Sequence, residues 1–121
     1  MSSPLPGSLP QLQLQRRALL RRLAHVPEVA VGSVSVVPRK CGKPSCHCAQ
    51  GGGHPQTLFL FRGEDGRRHC KLVRQADADR LLRAGENYRE FRANLRKLRA
   101  INQREEQILL RLLQQKAVHY E

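Results

Sequence analysis

Leucines follow helical spacing between Ser8 and Val26, with arginines falling mainly between them. Ser8 is a candidate N-cap, and Pro27 is expected to end the segment at about Val26. The pattern predicts an amphipathic helix with a basic side.

Three later stretches have the composition or alternation of β-strands: Val29–Pro38, Thr57–Arg62 and Arg67–Val73. The last two are separated by a turn at Gly63–Gly66, so the three predict a small antiparallel sheet. A sheet this short needs a helix on one face. We expect that face to consist of Val34, Val36, Leu58, Leu60 and Val73.

A long helix is predicted from Ala76 to about Val118, where the sequence has no proline and one glycine. Asp77 is its expected N-cap. Apolar residues follow a heptad alternation at Leu81, Ala84, Tyr88, Phe91, Leu95, Leu98, Leu109 and Leu112. Asn102 and Glu105 interrupt this seam, which Ile101 and Ile108 take over if the helix shifts face.

Some forty helical residues would span about 60 Å, more than a domain this small can cover. We therefore expect the helix to pack on the N-terminal helix and also on a second copy of the chain, giving a homodimer. The alternative is an intramolecular helical hairpin without dimerisation.

Three of the four cysteines lie between Arg39 and His54, in the segment RKCGKPSCHCAQGGGH. This segment is too polar and turn-rich to be fixed by burial of apolar surface. Zn²⁺ would fix it, because it binds four sulfur or nitrogen ligands tightly around one point. We predict a structural zinc site with Cys41, Cys46 and Cys48 as ligands; unligated, reduced cysteines are the alternative.

The fourth zinc ligand is open between three residues. His54 directly follows the glycine run and is the first choice, Cys70 is its rival, and His69 is a weaker candidate. His47 lies between two ligands and is expected to point away. Four protein ligands would close the site to substrate.

These elements predict an α+β fold with an N-terminal helix, a three-stranded antiparallel sheet containing an inserted zinc loop, and a long, coiled-coil-like C-terminal helix. The expected organisation is a flexible leader at residues 1–7, a helix and zinc-stapled hairpin module at 8–75, and the long helix at 76–121.

The net charge of +12 and pI near 10.8 favour a polyanionic partner, with nucleic acid first. With no long apolar run and no secretory signal, we expect a cytoplasmic protein with reduced thiols and no membrane partner. Few rings are free to stack on bases, so duplex DNA or structured RNA is expected rather than single strands. The candidate phosphate contacts are Arg39, Lys40, Lys43, Arg62, Arg67, Arg68, Lys71, Arg74, Arg92, Arg96, Lys97 and Arg99.

The segment from Cys41 to Ala49, the glycines with His54, a short hairpin and Glu86–Phe91 resemble an uncharacterised prokaryotic family of small proteins. Its members have a CGKPxCxCA segment and a long C-terminal helix, and many are encoded beside transposases. The resemblance implies a metal-ligand role for Cys41, Cys46, Cys48 and His54, and a mobile-element context.

No paired carboxylates, nucleophile-and-base set or phosphate-binding glycine loop is present, so we expect no enzymatic activity. A nuclease using His47 or His54 with the metal is the remaining enzymatic alternative. The predicted function is a zinc-binding, nucleic-acid-binding accessory protein of a mobile element. The alternative is an adaptor whose long helix recruits a recombinase or polymerase.

Overall fold

The computed structural model describes residues 7–40, 42–45 and 51–120. Its elements are α1 (Leu9–Ala24), β1 (Ser33–Arg39), β2 (His54–Arg62), β3 (Arg68–Val73), a short 3₁₀ helix (Gln75–Asp77) and α2 (Ala78–Lys116). The strands form one antiparallel sheet in the order β1-β2-β3. The predicted α+β class is confirmed. In the described ranges, no helix is both long enough and apolar enough to cross a membrane.

Three predicted element starts are corrected, since β2 begins at His54 rather than Thr57 and α2 begins at Ala78 rather than Ala76. β1 begins at Ser33 rather than Val29, because the preceding segment bonds to α2: the backbone N–H of Ala30 donates to the carbonyl of Ala84 at 3.0 Å. Asp77, the predicted N-cap, is the last residue of the short 3₁₀ helix and directly precedes Ala78, the first residue of α2. Its carboxylate accepts a hydrogen bond from Arg74 Nε at 3.1 Å.

The chain divides into two compact units. The first, the helical unit, comprises Met1–Val26 and Phe91–Glu121; the second, the sheet unit, comprises Pro27–Glu90. Each contains its own apolar cluster.

In the helical unit, α1 packs on the C-terminal half of α2 through Leu12, Leu19 and Ile101. Leu98 and Ile108 lie against this cluster. The apolar side of α2 therefore continues through Ile101 and Ile108, the alternative seam positions named from the sequence, rather than through Asn102 and Glu105. Arg16 donates to the side-chain oxygen of Asn102 and forms an ion pair with Glu105. The two polar interruptions of the predicted seam are therefore partners of Arg16 within the same chain.

In the sheet unit, the buried face of the sheet differs from the predicted one. Val34 is opposite Phe59 and Val36 is opposite Thr57, and directly opposed residues share a face. Leu58 and Leu60 therefore lie on the other face, where Leu60 is 44% exposed. Their predicted place beside Val34 is wrong, because the run from Leu58 to Phe61 is apolar at every position and alternation cannot assign its faces.

Gly85, the single glycine of the predicted long helix, lies where α2 meets β1. A Cβ atom there would be 3.1 Å from Cγ2 of Val34, which is 3% exposed. The missing side chain allows the helix to approach the strand closely.

Candidate functional site

The β1–β2 hairpin brings the two ends of the cysteine segment together. Arg39, the last residue of β1, is directly paired with His54, the first residue of β2. The strand pairing therefore joins the ends of the loop that carries the predicted zinc ligands, and it does so without a contribution from the metal. Cys41, Cys46, His47 and Cys48 lie outside the described residues.

Gly53 is required at the base of this loop. Its φ is +90°, and a Cβ atom would lie 2.6 Å from the carbonyl carbon of Arg39 and 2.8 Å from its nitrogen. A side chain here would collide with backbone, which cannot move aside as a flexible side chain can. The glycine before His54 thus lets the two strands converge.

The three candidates for the fourth ligand lie at different places in the sheet. His54 is at the base of the loop, whereas Cys70 is opposite Leu60, six positions further along β2. At the usual rise of a strand, that separation is about 20 Å. Cys70 is exposed and forms no disulfide, and Nε2 of His69 lies 3.1 Å from Oδ1 of Asp65. Only His54 is beside the cysteine loop.

Among the described residues, no three His, Cys, Asp or Glu side chains are grouped closely enough to hold a metal ion. Three of the four predicted ligands are outside that part of the chain, so the predicted zinc site stays a prediction.

Two predicted phosphate contacts, Arg62 and Arg68, are directly opposite each other where β2 and β3 are joined. Both are exposed, and no carboxylate of the described residues forms an ion pair with either. Asp65, in the connecting turn, accepts the backbone N–H of Arg67 at 2.9 Å. That hydrogen bond, and a second one with His69, lower the pKa of Asp65. The carboxylate of Asp65 is therefore occupied by hydrogen bonds within the turn.

The other predicted basic contacts are spread over several surfaces. Lys71 lies on the opposite face of β3, with Nζ 5.8 Å from the ring centroid of Phe61. Arg74 is partnered, since its Nη2 is 3.1 Å from Oδ2 of Asp77. The remaining members of the set are exposed, near the loop at Arg39, Lys40 and Lys43, in the β2–β3 turn at Arg67, or on α2 at Arg92, Arg96, Lys97 and Arg99.

Sequence reasoning missed an ion pair between Glu28 and Arg80. Arg80 donates from Nε and Nη2 to the two carboxylate oxygens, at 2.7 and 2.9 Å. This bidentate hydrogen bond is the main cause of the lowered pKa of Glu28 and the raised pKa of Arg80. No local signal connects two residues 52 positions apart, so only the fold could reveal the pair.

The elements and their order define the class of the protein as a small α+β domain. The family described as a domain of unknown function, DUF6788, matches residues 9–83, more than half of the chain, so the protein belongs to that family. The match includes α1, all three strands and the start of α2. No curated protein and no solved structure is significantly similar to the chain. The expectation of an uncharacterised family is confirmed.

Proposed function

We propose that the protein is a non-enzymatic, zinc-binding accessory protein of a mobile element that binds duplex DNA or structured RNA through phosphate contacts. The observation that carries this proposal is the pair of opposed, exposed arginines at the end of the β2–β3 hairpin. The mobile-element context rests on the resemblance of the cysteine segment.

Opposed like charges destabilise an antiparallel strand pair by up to roughly 1 kcal/mol. Arg62 and Arg68 face each other, and no carboxylate of the described residues forms an ion pair with either, while Asp65 is bonded to Arg67 and His69. A phosphate group placed between the two side chains would offset that repulsion, and the planar guanidinium donates to phosphate in two parallel hydrogen bonds. The hairpin end is therefore a suitable place for a nucleic-acid backbone.

The surplus of charge supports several contacts of this kind. The chain has 22 Lys and Arg against 10 Asp and Glu, and part of the acidic set is already paired with Arg16, Arg74 and Arg80. On α2, Arg92, Arg96 and Arg99 have helical spacing that places them on one side of the helix. Such contacts position a protein on a duplex without reading its sequence.

Zinc is proposed to bind Cys41, Cys46, Cys48 and His54. The strand register supports His54 over Cys70 as the fourth ligand. Cys41 follows Arg39 by two residues, so the Cα atoms of these two residues can be at most about 7 Å apart. Two sulfur ligands of one zinc ion are less than about 5 Å apart. A thiol about 20 Å along the sheet from the loop base does not meet that condition. Three thiolates and one imidazole leave a net negative charge that Lys40 and Lys43 would offset.

The proposal is tested by the salt dependence of duplex binding. Each phosphate contact contributes about 0.9 to the slope of log affinity against log salt concentration. We expect Arg68→Gln to lower the magnitude of the salt slope by about 0.9. Arg74→Gln is the control with the same charge change, and it should lower the slope less because Asp77 already pairs with Arg74. A wild-type protein that binds neither duplex DNA nor structured RNA at low salt would refute nucleic-acid binding.

The adaptor function is the second candidate, and one observation favours it. The last turns of α2 expose Leu109, Leu110, Leu112 and Leu113, each between 43% and 64% accessible. They offer apolar surface to another protein or to a second copy of the chain. Mass measurement across protein concentration tests the homodimer, with Leu113→Lys as the variant expected to abolish it.

A further inference from the structure

A cleft of about 460 Å³ opens within the sheet unit. Val29 and Val31 line it from the segment before β1, Phe59 and Phe61 from β2, and Leu81 from α2. A volume of this size is typical of sites that take a small organic group, and so is a predominantly apolar lining.

The segment that forms one side of the cleft is held in place by polar contacts with α2. The backbone N–H of Ala30 donates to the carbonyl of Ala84 at 3.0 Å, and Asn87 Nδ2 donates to the carbonyl of Glu28 at 3.1 Å. The ion pair of Glu28 with Arg80 adds a third connection. The cleft is therefore formed before any ligand arrives, which lowers the cost of binding.

Aromatic rings continue from the cleft across the sheet. The ring centroids of Phe59 and Phe61 are 4.9 Å apart with an interplanar angle of 24°, and those of Phe61 and His69 are 5.5 Å apart at 23°. Nζ of Lys71 lies 5.8 Å from the Phe61 centroid. Aromatic surface and a cation are thus adjacent, as a flat ring carrying a phosphate requires.

We infer that this cleft binds one unpaired nucleobase of the bound nucleic acid. The inference rests on the proposed nucleic-acid function and deepens it. A base packs against Phe61 while its phosphate approaches Lys71, and the Glu28–Arg80 pair at the cleft presents spare acceptors and donors to the base edge. An apolar peptide side chain would use the rings but neither the cation nor the ion pair.

The experiment compares a duplex that carries one unpaired purine with the fully paired duplex of the same sequence. Base stacking of about 1–3 kcal/mol corresponds to a preference of about 5- to 150-fold for the bulged duplex. Val31→Glu places a charge in the cleft, and Val36→Glu is the matched control. Both valines are exposed, at 61% and 51%, both belong to the sheet unit, and only Val31 lines the cleft.

We expect Val31→Glu to lose the preference for the bulged duplex while it still binds the paired one, and Val36→Glu to keep the preference. Equal wild-type affinity for the two duplexes, or the same loss of preference in both variants, would overturn the cleft site and leave phosphate binding intact. Failure of the wild type to bind either duplex at low salt would remove both proposals together.

Discussion

Replacing Gly53 by alanine tests whether β1 and β2 converge at the base of the cysteine loop as described. The new Cβ atom would lie 2.6 Å from the carbonyl carbon of Arg39, on a residue with φ of +90°. Gly66, in the β2–β3 turn, has φ of +78° and no atom within 4 Å of its Cβ position. The two glycines share a positive φ and differ in their contacts, so they form a matched pair.

The expected magnitudes follow from that difference. An L-residue in the left-handed region costs roughly 1–2 kcal/mol, which is the loss in unfolding free energy expected for Gly66→Ala. Gly53→Ala adds an overpacking cost of typically about 1–3 kcal/mol, because the colliding atoms belong to the backbone. The total expected for Gly53→Ala is therefore about 2–5 kcal/mol.

Urea unfolding measures these losses, and hydrogen exchange of the β1 and β2 amides assigns them to the hairpin. Gly53→Ala should speed exchange across both strands, while Gly66→Ala should affect mainly the β2–β3 turn. Equal destabilisation by the two variants would refute the close approach of Gly53 to Arg39.

Two further predictions concern the core of the helical unit and the ion pair of the sheet unit. Leu12→Ala should cost about 2–5 kcal/mol of unfolding free energy, since Leu12 is fully buried. Leu14→Ala, at a site 65% exposed, should stay within about 0.5 kcal/mol, and similar losses in urea unfolding would contradict the packing described. Arg80 lowers the pKa of Glu28 below its ordinary value of 4.5, so the stability from this pair is present above that pH and lost as pH falls through the lowered pKa. The difference in stability between wild type and Glu28→Gln should therefore shrink below pH 4.5, and a difference that does not change with pH would contradict this assignment.

The strands could be predicted from the sequence better than their faces could. The turn at Gly63–Gly66 places the start of β3 within one residue, and the apolar run from Leu58 to Phe61 identifies β2, which begins three residues earlier than predicted. The register that sets Val34 opposite Phe59 depends on the hairpin geometry, which a continuous apolar run does not specify. The pairing of β1 with β2 therefore determines that Phe59, and not Leu58, faces α2.

The helix seam shows the same limit. Asn102 and Glu105 appear in the sequence as interruptions of a heptad pattern, and their partner Arg16 is 86 positions from Asn102. A search of one helix at a time cannot find that partner. The alternative seam through Ile101 could be read from spacing alone, and the structure buries Ile101 to 2% exposure.

For the candidate site, the sequence identified the cysteine segment and ranked His54 first by its position after the glycines. The strand pairing that places His54 beside Arg39, and Cys70 far along the sheet, required the fold. The cleft beside Phe61 also required it, because its lining comes from three separate parts of the chain.

Metal analysis of the purified protein tests the central claim most directly, with His54→Ala and Cys70→Ser prepared in parallel. A zinc ion held by Cys41, Cys46, Cys48 and His54 predicts one equivalent of zinc per chain in the wild type and in Cys70→Ser, and a clear loss in His54→Ala. A wild-type protein without zinc, or a loss of zinc in Cys70→Ser but not in His54→Ala, would contradict it.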